Sequence, residues 1–196
     1  MLKIGITGNI GGGKTTVSKV FEVLGIPVFY ADDAAKQVMV SDPVLIAALK
    51  KTFGPEAYFA DGTLNRKHIA SIVFNDEKEL VKLNSLVHPA VFRVFDTWVT
   101  QIKHAPYVAK EAALLFESSS YKMCDYTIMV TAPLELRIQR VMQRDGLTRA
   151  EVESRNARQF SEERKTELAD YVIRNDDTEL VIPQVLELHQ QFLSLK

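Results

Sequence analysis

The sequence of 196 residues has little of what marks several common protein classes. Its single cysteine, Cys124, excludes an intrachain disulfide framework, and the lack of a CxxC pattern argues against a structural zinc site. No apolar run approaches the roughly 18 residues of a membrane-spanning helix. The formal net charge of -1 leaves no basic surplus for a polyanion surface. We therefore expect neither a membrane partner nor a nucleic-acid partner.

The beginning of the chain also lacks the parts of a secretory signal. "MLKIGITGN" has no charged leader that is followed by a long apolar run and a cleavage site. We expect a soluble, unprocessed protein, and the single cysteine fits the reducing cytoplasm. The length suffices for one well-cored domain that carries a smaller insertion.

What the sequence does contain is a series of short apolar segments with helical patterns between them. The candidate strands are "LKIGIT", "IPVFYAD", "YVAKEAALLFE", "YTIMVTAP" and "DYVIRND". Short buried strands that alternate with helices are typical of a parallel sheet covered by helices on both faces. The pattern predicts an α/β fold of three layers, α/β/α, around a five-stranded parallel sheet.

A helical stretch interrupts this alternation between the second and third strands. It covers residues 33–105 and is much longer than a usual crossover connection. We predict a helical substrate-binding insertion there, with residues 1–32 and 106–196 forming the nucleotide-binding core. Pro89 should break or restart a helix within the insertion and present His88 near that break.

A phosphate-binding motif follows the first strand. Residues 8–15 read Gly-Asn-Ile-Gly-Gly-Gly-Lys-Thr, the complete G-x-x-x-x-G-K-[ST] pattern of a P-loop between a strand and a helix. Glycines let the backbone turn its N–H groups toward a polyphosphate, and the helix N-terminus adds positive potential. Lys14 would reach the β and γ phosphates, Thr15 would be a Mg²⁺ ligand, and Thr16 is placed to contact the α phosphate. A simple connecting turn does not explain a lysine and a threonine at these offsets.

Two acids follow the second strand, at the edge where a parallel sheet places its ligand crevice. A kinase that acts on a hydroxyl needs a carboxylate to accept or orient the acceptor proton, and we assign that role to Asp32. The alternative is that Asp32 and Asp33 both cap the helix that begins there, which is the more natural role for Asp33.

The stretches "GITGNIGGGKTTV" and "LGIPVFYADDAAKQV" resemble the opening of the dephospho-CoA kinases. That family of P-loop kinases transfers the γ-phosphate of ATP to the ribose 3′-hydroxyl of dephospho-CoA, in the last step of coenzyme A biosynthesis. Its second strand usually ends in Asp-Ala-Asp. Tyr30 replaces the first acid here, and Asp32 matches the proposed general base of the family.

Later segments extend the resemblance in the same order. "FGPEAYFADGTLNRKHIASIVF" carries Arg66, "LNSLVHPAV" carries His88, and "ALLFES" ends at Glu117. The resemblance implies that Arg66 and His88 line the acceptor site, although Arg66 could instead pair with a neighbouring acid. The ending "RNARQFSEERKTELADYVIRND" matches at Gln159, Lys165 and Asn175, and it implies a nucleotide-binding role near the base for Asn175.

Arginines are concentrated in one part of the chain, because seven of the ten lie between residues 137 and 165. Arg137, Arg140 and Arg144 should share one helix face. The resemblance implies a helical lid at about 140–165, the lid segment, whose Arg140 stabilises the transferred phosphoryl charge together with Lys14 of the P-loop. The interspersed acids favour the alternative of a solvated surface, above all for Arg149, Arg155 and Arg158.

The resemblance implies ATP as phosphate donor, Mg²⁺, and dephospho-CoA as the small-molecule acceptor. Kinases of other small molecules, a P-loop regulatory switch and a nucleic-acid ATPase are the alternatives. The order of the later motifs argues against the first, the lack of an N-K-x-D motif against the second, and the lack of a basic surplus against the third. Glu111 and Asp32 both remain candidates for the acid that holds a water of the magnesium ion. A monomer and a weak homo-oligomer remain equally open.

Overall fold

The computed structural model describes residues 1–74 and 76–195 of the chain. One sheet contains all five strands in the order β2-β3-β1-β4-β5, and every neighbouring pair is parallel. The strands are β1 (Leu2–Thr7), β2 (Val28–Tyr30), β3 (Tyr107–Glu111), β4 (Tyr126–Thr131) and β5 (Tyr171–Arg174). The predicted five-stranded parallel sheet is confirmed, because each strand corresponds to one of the short apolar segments.

Helices form most of the remaining described residues. The α-helices are α1 (Lys14–Val23), α2 (Ala31–Ser41), α3 (Pro43–Phe53), α4 (Arg66–Val73), α5 (Glu77–Gln101), α6 (Leu134–Asp145), α7 (Arg149–Asn156), α8 (Glu162–Leu168) and α9 (Val181–Ser194). Short 3-10 helices lie at Pro55–Ala57 and Ser120–Met123. Among the described residues, no helix is long and apolar enough to cross a membrane.

One face of the sheet is covered by the first and last helices. Ile4 and Ile6 of β1 point to the same face because strand side chains alternate, and both are buried. They belong to one cluster with Val17 and Phe21 of α1 and with residues of α9 that include Phe192. Burial of each large apolar side chain contributes about 1.5–3 kcal/mol, so this cluster anchors the helix that follows the phosphate-binding motif.

The opposite face is covered in part by the segment after β3. A Cβ atom at Gly5 would lie 2.8 Å from Leu115 Cδ2 and 3.2 Å from Cys124 Sγ, so only a glycine allows this close approach. Leu115 is fully buried, and burial raises the pKa of the Cys124 thiol to about 11. Helix α8 contacts β4, and a smaller cluster of Ile138, Val141 and Val152 joins α6 to α7. The three-layer α/β/α arrangement is therefore confirmed.

The chain divides into two compact units. The first, the sheet unit, contains Met1–Tyr30 and the chain from Ile102 onward, and the second, the helical unit, is Ala31–Gln101. Most of the predicted insertion, 33–105, falls in the helical unit. Its role in acceptor binding stays a prediction.

Apolar residues of α2 to α5 form the interior of the helical unit, among them Val38, Leu49 and Phe95. Two polar side chains of this unit, the buried Tyr58 and the half-buried His68, also bond to backbone carbonyl groups. Tyr58 donates to Met39 O at 2.6 Å, and His68 Nε2 donates to Phe53 O at 2.7 Å.

The predicted helix break at Pro89 is wrong. Helix α5 continues from Glu77 to Gln101 with Pro89 inside it. A proline in a helix interior costs roughly 3 kcal/mol because it removes one hydrogen bond and crowds the preceding turn. The buried residues on both sides of it, Val87, Ala90 and Phe95, pack into the helical unit and offset that cost, while Pro89 itself lies exposed.

Candidate active site

The carboxyl ends of the five parallel strands meet at one edge of the sheet, and the sheet-unit candidate residues follow them. The P-loop comes directly after Thr7 of β1, and Asn175 comes directly after Arg174 of β5. The Asn175 N–H donates to Thr131 O at 2.8 Å, which continues the pairing of β5 with β4 by one residue. Ligands of open parallel sheets bind at this edge, so the fold brings both segments to one crevice.

The P-loop adopts a conformation that only glycines allow at two positions. Gly11 and Gly13 have φ angles of 78° and 95°, in the left-handed region. A Cβ at Gly11 would lie 2.4 Å from Arg137 O, and one at Gly13 would lie 2.0 Å from Asn175 Nδ2. Within the described residues, no side chain caps the start of α1. The N–H groups of its first turn therefore remain available for an anion.

A cleft of about 320 Å³ opens over this loop. Its lining consists of Gly11, Gly13, Lys14, Thr15, Thr16, Arg140, Arg144 and Asn175. The structure thus brings the P-loop residues, Arg140 and Asn175 together at one cleft of the sheet unit. Gly12 lies buried in the loop, where its N–H donates to Asn9 O at 3.0 Å.

Asn175 is bound to the P-loop itself. Its side-chain Nδ2 donates to Gly12 O at 3.0 Å, and the missing Cβ of Gly13 leaves room for this amide. The match to the family motif predicted Asn175 as a nucleotide-binding residue. This hydrogen bond also holds the backbone of Gly12–Gly13, which we call the inner limb of the loop.

Arg140 reaches the cleft while it holds the segment after β5. Its Nη1 donates to Asn175 O at 2.9 Å, and its Nη2 lies 2.7 Å from Asp177 Oδ1. Asp177 has a φ of 66°, a backbone conformation that glycine adopts more readily. The guanidinium group keeps further N–H donors that these two contacts do not use.

Arg137 differs from the neighbouring arginines of α6 in its burial and its partners, although all three have the spacing of one helix face. Arg137 is buried, and it donates to Ala132 O at 2.8 Å and to Asn156 Oδ1 at 2.8 Å. Its Nη2 lies 3.1 Å from Glu162 Oε2. Burial lowers the pKa of Arg137, and the charges of Glu162 and Glu163 partly oppose that shift. The contacts assign Arg137 to the joint between α6, α7 and α8.

The more distant arginines have acidic partners on the surface. Arg144 lines the cleft and pairs with Asp145 at 2.7 Å, and this bond raises the pKa of the Arg144 guanidinium. Arg149 lies 2.5 Å from Glu135 and 3.2 Å from Glu153. Exposed pairs of this kind contribute little to stability, in agreement with the alternative of a solvated face for Arg149.

The sequence predicts no function for a polar network that contacts the loop. Lys165 is fully buried, and its Nζ lies 2.9 Å from Glu117 Oε1 and 2.8 Å from Ala113 O. Gln159 accepts from Ile10 N–H at 2.8 Å and donates to Ala113 O at 3.3 Å. The only sequence signal was that Glu117, Gln159 and Lys165 each match a motif of the family.

The remaining predicted residues, Asp32, Arg66 and His88, belong to the helical unit, and their roles stay predictions. Asp32 lies exposed in the first turn of α2, beside Asp33, whose carboxylate is paired with Lys36 at 2.7 Å. Arg66 is exposed at the start of α4. The half-buried His88 ring stacks on Phe92, with 6.2 Å between the ring centroids.

The residues around the loop fit a magnesium ion that is held chiefly by phosphates. Thr15 lines the cleft and is exposed to it, and Glu111 is buried at the end of β3. The described part of the chain contains no group of three or more His, Cys, Asp or Glu that could hold a metal ion. Mg²⁺ in kinase sites uses one or two protein ligands together with substrate oxygens, and a hydroxyl such as that of Thr15 is suited to this.

Comparison with known proteins gives one consistent result. The model of the CoaE family, described as dephospho-CoA kinase, matches residues 2–180. A dephospho-CoA kinase of Bacteroides fragilis is 38% identical over 187 residues, 95% of this chain and 91% of the relative. One of Salinibacter ruber is 40% identical over 180 residues, 91% of this chain and 90% of the relative. A crystal structure from Thermus thermophilus is 37% identical and has a TM-score of 0.86, covering 97% of this chain and 96% of its own.

Proposed function

The chain belongs to the dephospho-CoA kinase family, and we propose that it transfers the γ-phosphate of ATP to the ribose 3′-hydroxyl of dephospho-CoA. The products are coenzyme A and ADP, in the last step of coenzyme A biosynthesis. The observation that carries the proposal is the cleft of the sheet unit, where the uncapped start of α1, Lys14, Thr15 and Arg140 surround a space of about 320 Å³. We place this reaction in the cytoplasm.

The donor half of the reaction uses the P-loop. Backbone N–H groups of Gly11 and of residues 13–16 bind the phosphate oxygens, while the Gly12 N–H stays bonded to Asn9 O, and Lys14 contacts the β and γ phosphates. Thr16 contacts the α phosphate. Thr15 would supply a protein ligand for Mg²⁺, and the bound ion would neutralise charge on the phosphates of ATP.

The transfer step replaces one P–O bond by another. The ribose 3′-oxygen attacks the γ phosphorus while the bond from that phosphorus to the β–γ bridging oxygen breaks, and its electron pair leaves on ADP. Asp32 accepts or orients the proton of the attacking hydroxyl. Lys14 and Arg140 stabilise the charge on the transferred group.

Arg140 can bind a phosphate group of ATP while it keeps its position in the protein. Its Nη1 stays bonded to Asn175 O, which holds the guanidinium group in place. Its other partner, Asp177, is 69% exposed and can be replaced by a phosphate oxygen. A phosphate carries more charge than a carboxylate and suits the planar donor geometry of arginine equally well. We expect this exchange of partners when ATP binds.

The acceptor half of the proposal uses the helical unit. We assign Arg66 and His88 to the binding of dephospho-CoA, together with Asp32. Closure of the part of the lid segment that precedes its anchored end, residues 159–165, would exclude water, so that the γ-phosphate reaches the acceptor instead of being hydrolysed.

Coupled measurement of ADP release tests this function. Dephospho-CoA, AMP, adenosine and shikimate are offered separately with ATP and Mg²⁺. We expect dephospho-CoA alone to raise ADP release strongly over the rate without acceptor. Equal stimulation by another acceptor, or none by dephospho-CoA, would overturn the proposed substrate.

A further inference from the structure

The outer limb of the P-loop, Asn9–Gly11, is held by the segment that joins α7 to α8. Ile10 N–H donates to the side-chain Oε1 of Gln159 at 2.8 Å. Asn9 Nδ2 donates to Phe160 O at 3.0 Å, and Asn9 is buried. Two successive residues of the loop are therefore bonded to two successive residues of this segment.

We propose that Gln159 is a positioning residue of the phosphate cradle, which sets the P-loop for ATP through its bonds to Ile10 and Ala113. This inference rests on the ATP-binding half of the proposed function and needs nothing of the acceptor. Gln159 touches neither substrate in this role. It acts through the backbone of the loop.

The amide of Gln159 is chemically suited to join these two backbone groups. Its oxygen accepts from Ile10 N–H after β1, and its nitrogen donates to Ala113 O after β3, at 3.3 Å. A glutamate at this position would keep an acceptor for Ile10 but could not donate when ionised, and a leucine would lose both bonds. The bond also commits the Ile10 N–H to the protein, so the anion-binding N–H groups of the cradle begin at Gly11.

Buried charges hold the backbone around Gln159. Phe160 N–H donates to Glu117 Oε1 at 2.8 Å, and that same oxygen lies 2.9 Å from Lys165 Nζ. Lys165 also donates to Ala113 O at 2.8 Å, so Gln159 and Lys165 share this acceptor. The segment carrying Gln159 is thereby fixed to the chain after β3.

The inner limb of the loop has a separate attachment. Asn175 binds Gly12 O from the end of β5, whereas Gln159 binds Ile10 N–H from the lid segment. The two amides hold the loop on either side of Gly11, whose backbone conformation is left-handed. A loop that is already ordered loses less conformational entropy when it binds phosphate, so either attachment should raise ATP affinity.

Binding of ATP to the full-length Gln159→Leu variant, measured by titration calorimetry without acceptor, tests the proposal. We expect ATP affinity to fall roughly tenfold, because the half-buried Ile10 N–H loses its partner and the loop must be ordered by the ligand. Gln159→Glu keeps the acceptor for Ile10 and should fall between wild type and Gln159→Leu. Gln191→Leu, an exposed change on α9, is the matched control and should bind ATP as wild type does.

Two further readouts separate positioning from general stability. Hydrogen exchange of the Ile10 amide should accelerate in Gln159→Leu, and the KM for ATP should rise while the KM for dephospho-CoA stays within about twofold. An unchanged ATP affinity in Gln159→Leu would overturn the proposal. So would equal increases of both KM values.

Poor folding of Gln159→Leu would leave Gln159→Glu to decide: this variant loses only the bond to Ala113 O, so wild-type ATP affinity in it would overturn the claim that both bonds of Gln159 set the loop. Failure of dephospho-CoA to stimulate the wild-type enzyme would instead contradict the proposed acceptor. That outcome leaves the ATP-binding measurements on Gln159 intact.

Discussion

The sheet unit and the helical unit place their candidate residues by different means. In the sheet unit the P-loop is held by side-chain amides on its backbone, from Asn175 at Gly12 and from Gln159 at Ile10. In the helical unit apolar packing of α2 to α5 carries the structure, and Asp32 and Arg66 lie exposed at the starts of helices. Hydrogen bonds therefore pre-organise the proposed ATP site. The proposed acceptor residues are instead placed by the packing of the helices that carry them.

This difference predicts how the two units respond to change. Substitutions around the P-loop should alter ATP binding, because the geometry of the cradle depends on few specific contacts. Substitutions of the exposed acids in the helical unit should leave ATP binding unchanged and act on turnover. Variants in each unit therefore test whether ATP binding depends on the sheet unit alone.

The largest effect is expected for Gly13→Ala. The new Cβ would lie 2.0 Å from Asn175 Nδ2 at a position whose φ is 95°, so both the backbone and the Asn175 contact must shift. We predict loss of measurable ATP binding in titration calorimetry. Because Lys14 and the first turn of α1 follow directly, phosphate transfer should be lost as well.

Gly25→Ala is the matched control for this change. Gly25 also has a left-handed φ, 80°, but among the described residues nothing lies within 4 Å of its added Cβ. The variant should lose about 1–2 kcal/mol of stability from backbone strain and keep wild-type ATP affinity. Equal loss of ATP binding in both variants would contradict a specific role of the Gly13–Asn175 contact.

The second effect concerns Asp32 of the helical unit. Asp32→Asn should lower kcat by about 10²-fold or more, because the amide cannot accept the acceptor proton, while ATP affinity stays unchanged. Steady-state turnover and calorimetry on the same samples measure the two quantities. Asp33→Asn, which only removes a surface pair with Lys36, should retain nearly full turnover. Similar turnover in both variants would remove Asp32 from the role of base.

The smallest of these effects is expected for Asn175→Ala. Loss of one hydrogen bond to Gly12 O should weaken ATP binding by about fivefold to tenfold, with little change in kcat once ATP saturates. The KM for ATP measures this change. A variant with unaltered KM would show that the inner limb of the loop keeps its conformation without the amide.

The sequence predicted the sheet unit in detail because its features are local. Strand, P-loop and helix follow one another between Leu2 and Val23, and each has a strong signal of its own. Lys14, Thr15 and Thr16 could therefore be grouped from spacing alone, and all three line the cleft over the P-loop. The family resemblance added Arg140 and Asn175, which also line that cleft.

What the sequence could not predict depends on contacts between distant segments. Arg137 is spaced along α6 so that it lies on the same helix face as Arg140. That spacing does not reveal that its guanidinium group is buried against Asn156 and Glu162. The bond from Gln159 to Ile10 joins residues 149 positions apart. Pro89 failed as a helix breaker because packing around Val87 and Ala90 outweighs a local preference.

Transfer of the γ-phosphate to the ribose 3′-hydroxyl can be followed directly by phosphorus NMR of the product formed from ATP and dephospho-CoA. We predict one new phosphomonoester signal on the ribose 3′-oxygen, in an amount equal to the ADP formed. A signal of inorganic phosphate alone, or of phosphate at another position of the acceptor, would contradict it.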